Sequence, residues 1–137
     1  MATKNPLFAA NWKLAPKKSK FTTSAWNPES ETRVYKAVRG GYELKVTGIK
    51  TGEPYSWGYT AIYDGKDHPV HGRKDVDAIE AYKVNNQITI GFFKKKGKEV
   101  AAYKRTVSID GKSLSVVASG INSDGSIYFD TIEYKIS

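Results

Sequence analysis

Two histidines, His68 and His71, are the residues of this chain best suited to proton transfer near neutral pH. They are the only histidines in the sequence, and they lie three residues apart in the run Asp67-His68-Pro69-Val70-His71. Imidazole titrates near neutrality, so either ring could give or take a proton. Three interpretations stay open: a proton shuttle or ligand contact, a metal site, and two solvated loop histidines. A metal site needs a third ligand that this spacing does not supply, so we predict no metal ion and no cofactor.

Four further polar residues fall in segments that alternate like β-strands: Glu80, Tyr103, Arg105 and Glu133. A guanidinium beside a tyrosine hydroxyl and a carboxylate could bind an anionic or carbonyl oxygen. The alternative is that these side chains lie on a solvated face or form a structural ion pair. The candidate catalytic residues are accordingly His71, His68, Tyr103, Arg105 and Glu80.

Regular turn signals predict the strands that must position these residues. Gly, Asn and Asp tolerate the positive φ of hairpin turns, and dipeptides that contain at least one of them recur along the chain at Gly40-Gly41, Thr51-Gly52, Asp64-Gly65, Asn85-Asn86, Lys96-Gly97, Asp110-Gly111 and Asp124-Gly125. The runs between these turns are rich in Val, Ile, Thr, Tyr and Phe. We predict eight strands, at 30–39, 42–50, 53–64, 76–84, 87–95, 98–109, 112–121 and 126–136, and a short ninth at 10–14. Such a meander predicts an all-β, antiparallel up-and-down barrel of eight to ten strands.

Most aromatic residues fall inside these predicted strands. The candidate ligand-binding residues among them are Trp57, Tyr59, Tyr63, Tyr35, Tyr82, Phe92 and Tyr128. A stripe of this kind is either packed core or the lining of a pocket, and eight strands is the borderline size between the two. Alternation alone does not determine which face of each strand lies inside.

Composition restricts the class of protein. The 137 residues suit one domain, predicted to span 1–137, and the absence of cysteine excludes a disulfide framework, a thiolate metal site and a cysteine nucleophile. Much of the net charge of +8 comes from two segments, 1–20 with five Lys and no acid, and 94–105 with six basic residues and one acid. No aromatic residue lies within 94–98, so a Lys-rich rim is favoured over a nucleic-acid surface.

The sequence also gives expectations about location and assembly. No apolar run approaches the roughly 20 residues of a transmembrane helix, and the apolar run at 7–10 is too short for the core of a signal peptide. We therefore expect a cytoplasmic protein without membrane contacts, although a secreted protein deprived of its leader would look the same. A monomer or a homodimer is expected.

Three motifs resemble those of small bacterial lipocalin-like proteins of the calycin type, a family that is mostly uncharacterised. The motifs are Asn11-Trp12-Lys13-Leu14 with Lys17-Lys18-Ser19-Lys20-Phe21, the segment from Tyr59 to Gly72, and Asp110-Gly111-Lys112-Ser113-Leu114-Ser115-Val116 with Gly120 and Asp124-Gly125. The resemblance covers about residues 10–136 and implies a lipocalin-type barrel with an internal ligand. It implies that Trp12 closes the base of the barrel, although the Arg that stacks on such a Trp from the C-terminal strand is absent. It carries no catalytic residues over.

These observations favour a protein that binds a small hydrophobic or aromatic molecule inside its barrel. The alternative is a cofactor-independent enzyme, a lyase, isomerase, cyclase or hydrolase, that acts on such a molecule with acid–base groups in the barrel. His68 and His71 support this alternative, because they stand where the lipocalin-like motif more usually carries Tyr and Thr. Binding of nucleic acid or another anionic surface through the basic segments is the least favoured hypothesis.

Overall fold

The computed structural model describes residues 5–22, 27–122 and 124–136, and these form a closed antiparallel barrel. Ten strands follow one another around the barrel in chain order, and the first strand pairs with both the second and the last. The predicted all-β barrel of eight to ten strands is therefore confirmed. Lys4, one of the five basic residues of segment 1–20, lies outside the described residues.

The ten strands and two short 3-10 helices have the following bounds. The helices are Pro6–Phe8 and Pro16–Lys18, and the strands are β1 Asn11–Leu14, β2 Ser30–Val38, β3 Gly41–Lys50, β4 Glu53–Ile62, β5 His68–His71, β6 Ala78–Lys83, β7 Ile88–Lys95, β8 Lys98–Val107, β9 Ser113–Ile121 and β10 Ile127–Ile136. Nine of these strands match predicted segments, with their ends displaced by at most two residues.

The strand that the sequence did not predict is β5. It has four residues, includes Pro69, and pairs through two positions with β4 and two with β6. A segment this short has no alternating run of β-forming residues, so periodicity could not reveal it. Its pairing closes the barrel between β4 and β6.

Two hairpins show how local sequence determines the register. Thr51 and Gly52 join β3 to β4 with φ of 53° and 76°, and Lys96 and Gly97 join β7 to β8 with φ of 51° and 82°. Two consecutive residues with positive φ are typical of a type I′ turn, whose twist matches that of the paired strands. These turns direct alternate residues of each long strand into the barrel.

The two ends of the barrel differ. At the base, the 3-10 helix Pro6–Phe8 and the fully buried Trp12 cover the interior, and Trp12 Nε1 donates to the carbonyl of Leu7 at 3.1 Å. At the other end, the mouth, lie the turns at 51–52 and 96–97 and the loop 72–77. Within the described ranges, no helix is long and apolar enough to cross a membrane.

Candidate functional site

The barrel interior contains a cavity of about 600 Å³ that extends inward from the mouth. Its apolar wall includes the aromatic rings of Trp57, Tyr59, Phe93, Tyr103 and Tyr128. The rings of Phe93 and Tyr103 are tilted with centroids 5.6 Å apart, and Tyr59 meets Phe93 edge-on and stacks on Trp57, each with centroids 6.1 Å apart. A concave, mainly aromatic pocket of this size is typical of a small-molecule site.

Three tyrosine hydroxyls form a hydrogen-bonded cluster in the interior, and Tyr42 is its centre. The Tyr42 hydroxyl lies 2.7 Å from that of Tyr59 and 2.6 Å from that of Tyr103. Tyr42 and Tyr59 project from the adjacent strands β3 and β4, whereas Tyr103 reaches the cluster from β8. The cluster therefore joins two sides of the barrel.

Arg105 lies against this tyrosine cluster and is only 2% exposed. Its guanidinium carbon is 4.6 Å from the ring centroid of Tyr35, 4.5 Å from that of Tyr42 and 5.6 Å from that of Tyr103. Its Nη1 donates to the Tyr42 hydroxyl at 3.4 Å, whereas its Nη2 is buried without a hydrogen-bond partner. Cation–π contacts offset part of the cost of burying this charge.

Burial keeps the hydroxyls of Tyr42 and Tyr59 protonated. It raises the pKa of Tyr42 well above its usual range, although the Arg105 charge acts in the opposite direction. Burial is also the main reason why the pKa of Tyr59 is raised, with smaller contributions from Tyr103 and Tyr42. Tyr42 and Tyr59 are therefore neutral phenols at physiological pH, and neither supplies a counter-charge to Arg105.

A second buried arginine, Arg33, has a carboxylate partner. Arg33 Nε donates to Glu31 Oε2 at 3.0 Å, and both side chains are buried. Glu31 also accepts hydrogen bonds from the hydroxyls of Tyr55, at 2.9 Å, and Tyr134. Arg33 lines the cavity, so one wall of the pocket carries a cation whose charge Glu31 balances.

At the mouth, Arg73 covers part of the aromatic wall. Its guanidinium carbon lies 4.7 Å from the Trp57 ring centroid and 5.3 Å from that of Phe93, and its Nε donates to Asp75 Oδ1 at 2.8 Å. Trp57 Nε1 is buried without a hydrogen-bond partner. Two residues of the cavity wall therefore carry a buried donor without a partner, Trp57 near the mouth and Arg105 deeper inside.

Most of the residues predicted from sequence to line the barrel do face its interior. Tyr103, Arg105, Trp57, Tyr59 and Tyr128 line the cavity. Tyr35 is buried beneath Arg105, and the half-buried Tyr63 contacts Tyr42 with ring centroids 5.9 Å apart. The roles predicted for these residues in binding or catalysis stay predictions.

Six other residues that the sequence made candidates do not line the cavity. His71 is exposed, and His68 is half-buried next to the loop 63–67, where its Nε2 lies 2.9 Å from Asp64 Oδ1. The outward-facing members of β6, β7 and β10 are Glu80, Tyr82, Phe92 and Glu133. The expectation that Glu80, Tyr82 and Phe92 face the interior is wrong, because Ile79 and Ala81 occupy the inward positions of β6 and Phe93 occupies that of β7.

Outer-face contacts account for the four strand residues. Glu80 accepts from Lys94 Nζ at 2.7 Å and from the Tyr82 hydroxyl. Tyr82 packs edge-on against Phe92, with ring centroids 6.3 Å apart. Glu133 accepts from Ser115 Oγ at 3.0 Å. An outer surface of paired charges and packed rings satisfies all four without the lumen.

The sequence predicted Phe92 rather than Phe93 as the inward-facing aromatic of β7, because both faces of this strand are apolar. Phe93 is buried inside, and Phe92 is outside. Gly91, which shares the inner face with Phe93, makes room for Tyr103, since a Cβ added at Gly91 would come within 2.4 Å of the Tyr103 ring. The more continuous apolar row, which includes Phe92, therefore faces outward.

The sequence-based prediction missed Tyr42, Glu31, Arg33 and Arg73. Tyr42 shares its face with Leu44 and Val46 in strict alternation with polar residues, and this pattern could have identified it. Glu31 and Arg33 alternate with exposed or half-exposed residues, but charged side chains are rarely expected inside a barrel. Arg73 lies in a loop, where periodicity gives no direction.

A scan of the sequence against protein-family models finds no match, and a comparison with curated proteins finds no similar relative. The fold and the geometry of the cavity therefore carry the functional argument.

Replacing both histidines, as His68→Ala and His71→Ala, is expected to leave ligand binding in the cavity within about twofold of the unmodified protein, because outer-face substitutions have small effects. Titration of the double variant with a hydrophobic fluorescent dye checks this. A loss of binding without unfolding would contradict the placement of both rings outside the site.

Proposed function

We propose that this protein binds a small hydrophobic or aromatic molecule inside its barrel. The observation that carries the proposal is the cavity of about 600 Å³ with its aromatic wall. An apolar ligand that enters such a pocket exchanges water for ring and methyl contacts, which is favourable in proportion to the apolar area buried. The closed antiparallel barrel and the Trp12 cap at its base support the further proposal that the chain is lipocalin-like.

The cavity offers both apolar surface and fixed polar groups, as expected of a small-molecule binding site. Ile132, Val116 and Ala118 supply aliphatic surface beside the rings, and Tyr59 and Tyr103, whose hydroxyls are hydrogen-bonded to Tyr42, supply fixed polar groups. A few positioned polar groups in an apolar pocket orient a ligand and give specificity. The bound molecule is thus expected to have an apolar body and at least one polar end.

Filling the cavity tests the proposal directly. Ala118 lines the cavity, so Ala118→Phe is expected to weaken binding of Nile red at least about tenfold, because a bulky ring in a confined pocket competes with the ligand for space. Val34→Phe is the matched control, since Val34 is 40% exposed on the outer face of β2. Fluorescence titration with Nile red measures both dissociation constants, and circular dichroism verifies the fold.

Two results would count against cavity binding. Absence of saturable Nile red binding by the unmodified protein would refute it. Equal weakening by Ala118→Phe and Val34→Phe would place the dye on the outer surface instead.

A cofactor-independent enzyme is the second candidate, and the observation that favours it is the contact between Arg105 and the tyrosine hydroxyls. A guanidinium and preorganised hydroxyls in a cavity shielded from water could stabilise a developing oxyanion. The reaction classes that suit such a group are those of a lyase, isomerase, cyclase or hydrolase. Because His68, His71 and Glu80 lie outside, this candidate would depend on Arg105 and Tyr103.

A further inference from the structure

Arg105 is a buried charge that the described residues of the protein do not neutralise. The salt bridges of these residues include Arg33 with Glu31 and Arg73 with Asp75, and none involves Arg105. A guanidinium stays protonated even when buried, so its charge cannot be lost by titration. Burying an ion without a partner is costly, and the cation–π contacts with tyrosine rings offset only part of this cost.

The buried carboxylates of Glu31 and Asp130 accept hydrogen bonds from groups other than Arg105. Glu31 accepts from Arg33, Tyr55 and Tyr134, which fills three of the roughly four acceptor sites of a carboxylate. Asp130 lines the cavity and accepts from the backbone N–H of Thr22 at 3.0 Å.

The strand register keeps Asp130 away from Arg105. Arg105 pairs with Val116, and Val116 pairs with Ile132, so the position level with Arg105 on β10 belongs to Ile132. Asp130 is two residues nearer the mouth and two strands away, which amounts to about 10 Å of lateral separation alone. A direct ion pair between Asp130 and Arg105 is therefore not formed.

The charge of Arg105 lies at the wall of the cavity. Arg105 lines the pocket, its Nη2 has no hydrogen-bond partner, and its Nη1 makes a single long bond to Tyr42. The planar guanidinium matches a carboxylate, which can accept two parallel N–H bonds. One unpaired guanidinium supplies one positive charge, so it suits a monoanion better than a dianion.

We infer that the ligand is an apolar monocarboxylate whose carboxylate pairs with Arg105 deep in the barrel while its hydrocarbon or aromatic body lies along Phe93, Tyr59 and Trp57 toward the mouth. This inference rests on the proposed function and adds the chemical class of the ligand. It accounts for both features that cavity filling alone leaves unexplained, the unpaired charge and its position at the inner part of an apolar pocket.

The test compares dodecanoate with its methyl ester as competitors of Nile red. The two share a chain, and only the acid carries a charge at pH 7.5 or above. For the unmodified protein, the dissociation constant of dodecanoate is expected to be about 10- to 100-fold lower than that of methyl dodecanoate, the range expected for hydrogen bonds to a charged group. Equal affinities, with Nile red displaced by both, would overturn the inference and leave cavity binding standing.

Two variants locate the effect. In Arg105→Met, the preference for the acid over the ester is expected to fall close to one while Nile red binding persists. Lys74→Met removes a positive charge at the mouth and is expected to retain the preference, which distinguishes pairing with Arg105 from general attraction at the rim. A preference lost in Lys74→Met and kept in Arg105→Met would overturn the assignment to Arg105.

The remaining outcomes are equally decisive. If Arg105→Met does not fold, the ratio of acid to ester affinity in the unmodified protein and in Lys74→Met still decides the question. If neither competitor nor Nile red binds the unmodified protein, the proposed function fails and the inference fails with it.

Discussion

Replacing Glu31 with Gln is expected to lower the free energy of unfolding by about 3 to 5 kcal/mol, because it leaves a buried arginine without its counter-charge. Glu31 is 1% exposed and Arg33 is 7% exposed, so water cannot substitute for the missing carboxylate. The neutral amide also removes a charged acceptor from the hydroxyls of Tyr55 and Tyr134. Urea unfolding followed by tryptophan fluorescence measures the loss.

A double variant separates the charge effect from simple loss of packing. Glu31→Leu with Arg33→Met replaces the ion pair by apolar side chains of comparable size, a change that is often close to neutral. The double variant is therefore expected to be more stable than Glu31→Gln alone. Glu80→Gln, on the outer face with Lys94, is the control and is expected to change stability less than Glu31→Gln, since water reaches and screens this partly exposed ion pair.

The expected result would be contradicted in two ways. Stability of Glu31→Gln within experimental error of the unmodified protein would show that the carboxylate does not balance Arg33. A double variant less stable than Glu31→Gln alone would show that the ion pair contributes more than its apolar replacement.

The fold was predictable because its signals are local and repeated. Tight turns such as Lys96-Gly97 need positive φ, which Gly adopts at little cost, and the strands between turns alternate over eight to ten residues. A closed barrel follows from the number of strands and from their short connections. Of the ten strands, β5 was not predicted, because its four residues around Pro69 are too few to show an alternating pattern.

The site was predictable only in part, because its geometry is non-local. Alternation grouped Tyr103 with Arg105 and Trp57 with Tyr59, and the structure brings all four to one cavity. It did not reveal which face of β6 or β7 lies inside, because the choice depends on contacts across the barrel such as the seating of Tyr103 against Gly91.

The histidines show the limit of reasoning from chemical type. Histidine is the residue type best suited to proton transfer, yet neither His68 nor His71 lines the cavity, and Val70 is the buried residue of β5. Conversely, Glu31 belongs to no recognisable sequence motif. Its role is evident only from its hydrogen bonds with Tyr55 on β4 and Tyr134 on β10. Residue type alone suggests which side chains could do chemistry, whereas burial and contact partners show which of them lie in the cavity or in its wall.

Replacing Trp12 with Ala is expected to lower the free energy of unfolding by about 3 to 5 kcal/mol, the usual cost of deleting a large buried aromatic side chain. The indole is fully buried at the base of the barrel, beside the buried Leu7, and no other ring of that size is completely inaccessible among the residues described. Its loss would leave a cavity under the 3-10 helix Pro6–Phe8 and open the base to water. Urea and thermal unfolding measure the change.

Trp12→Phe separates the ring from its hydrogen bond. It keeps most of the apolar volume and removes the Nε1 donor to Leu7, so about 1 to 3 kcal/mol is expected from the unpaired carbonyl. Lys13→Ala, the outward-facing neighbour on β1, is the matched control and should change stability little.

If the indole secures the 3-10 helix, hydrogen exchange at the Phe8 amide, which donates to the Asn5 carbonyl, will accelerate in Trp12→Ala and remain slow in Lys13→Ala. Unchanged exchange in Trp12→Ala would show that the helix covers the base without the indole.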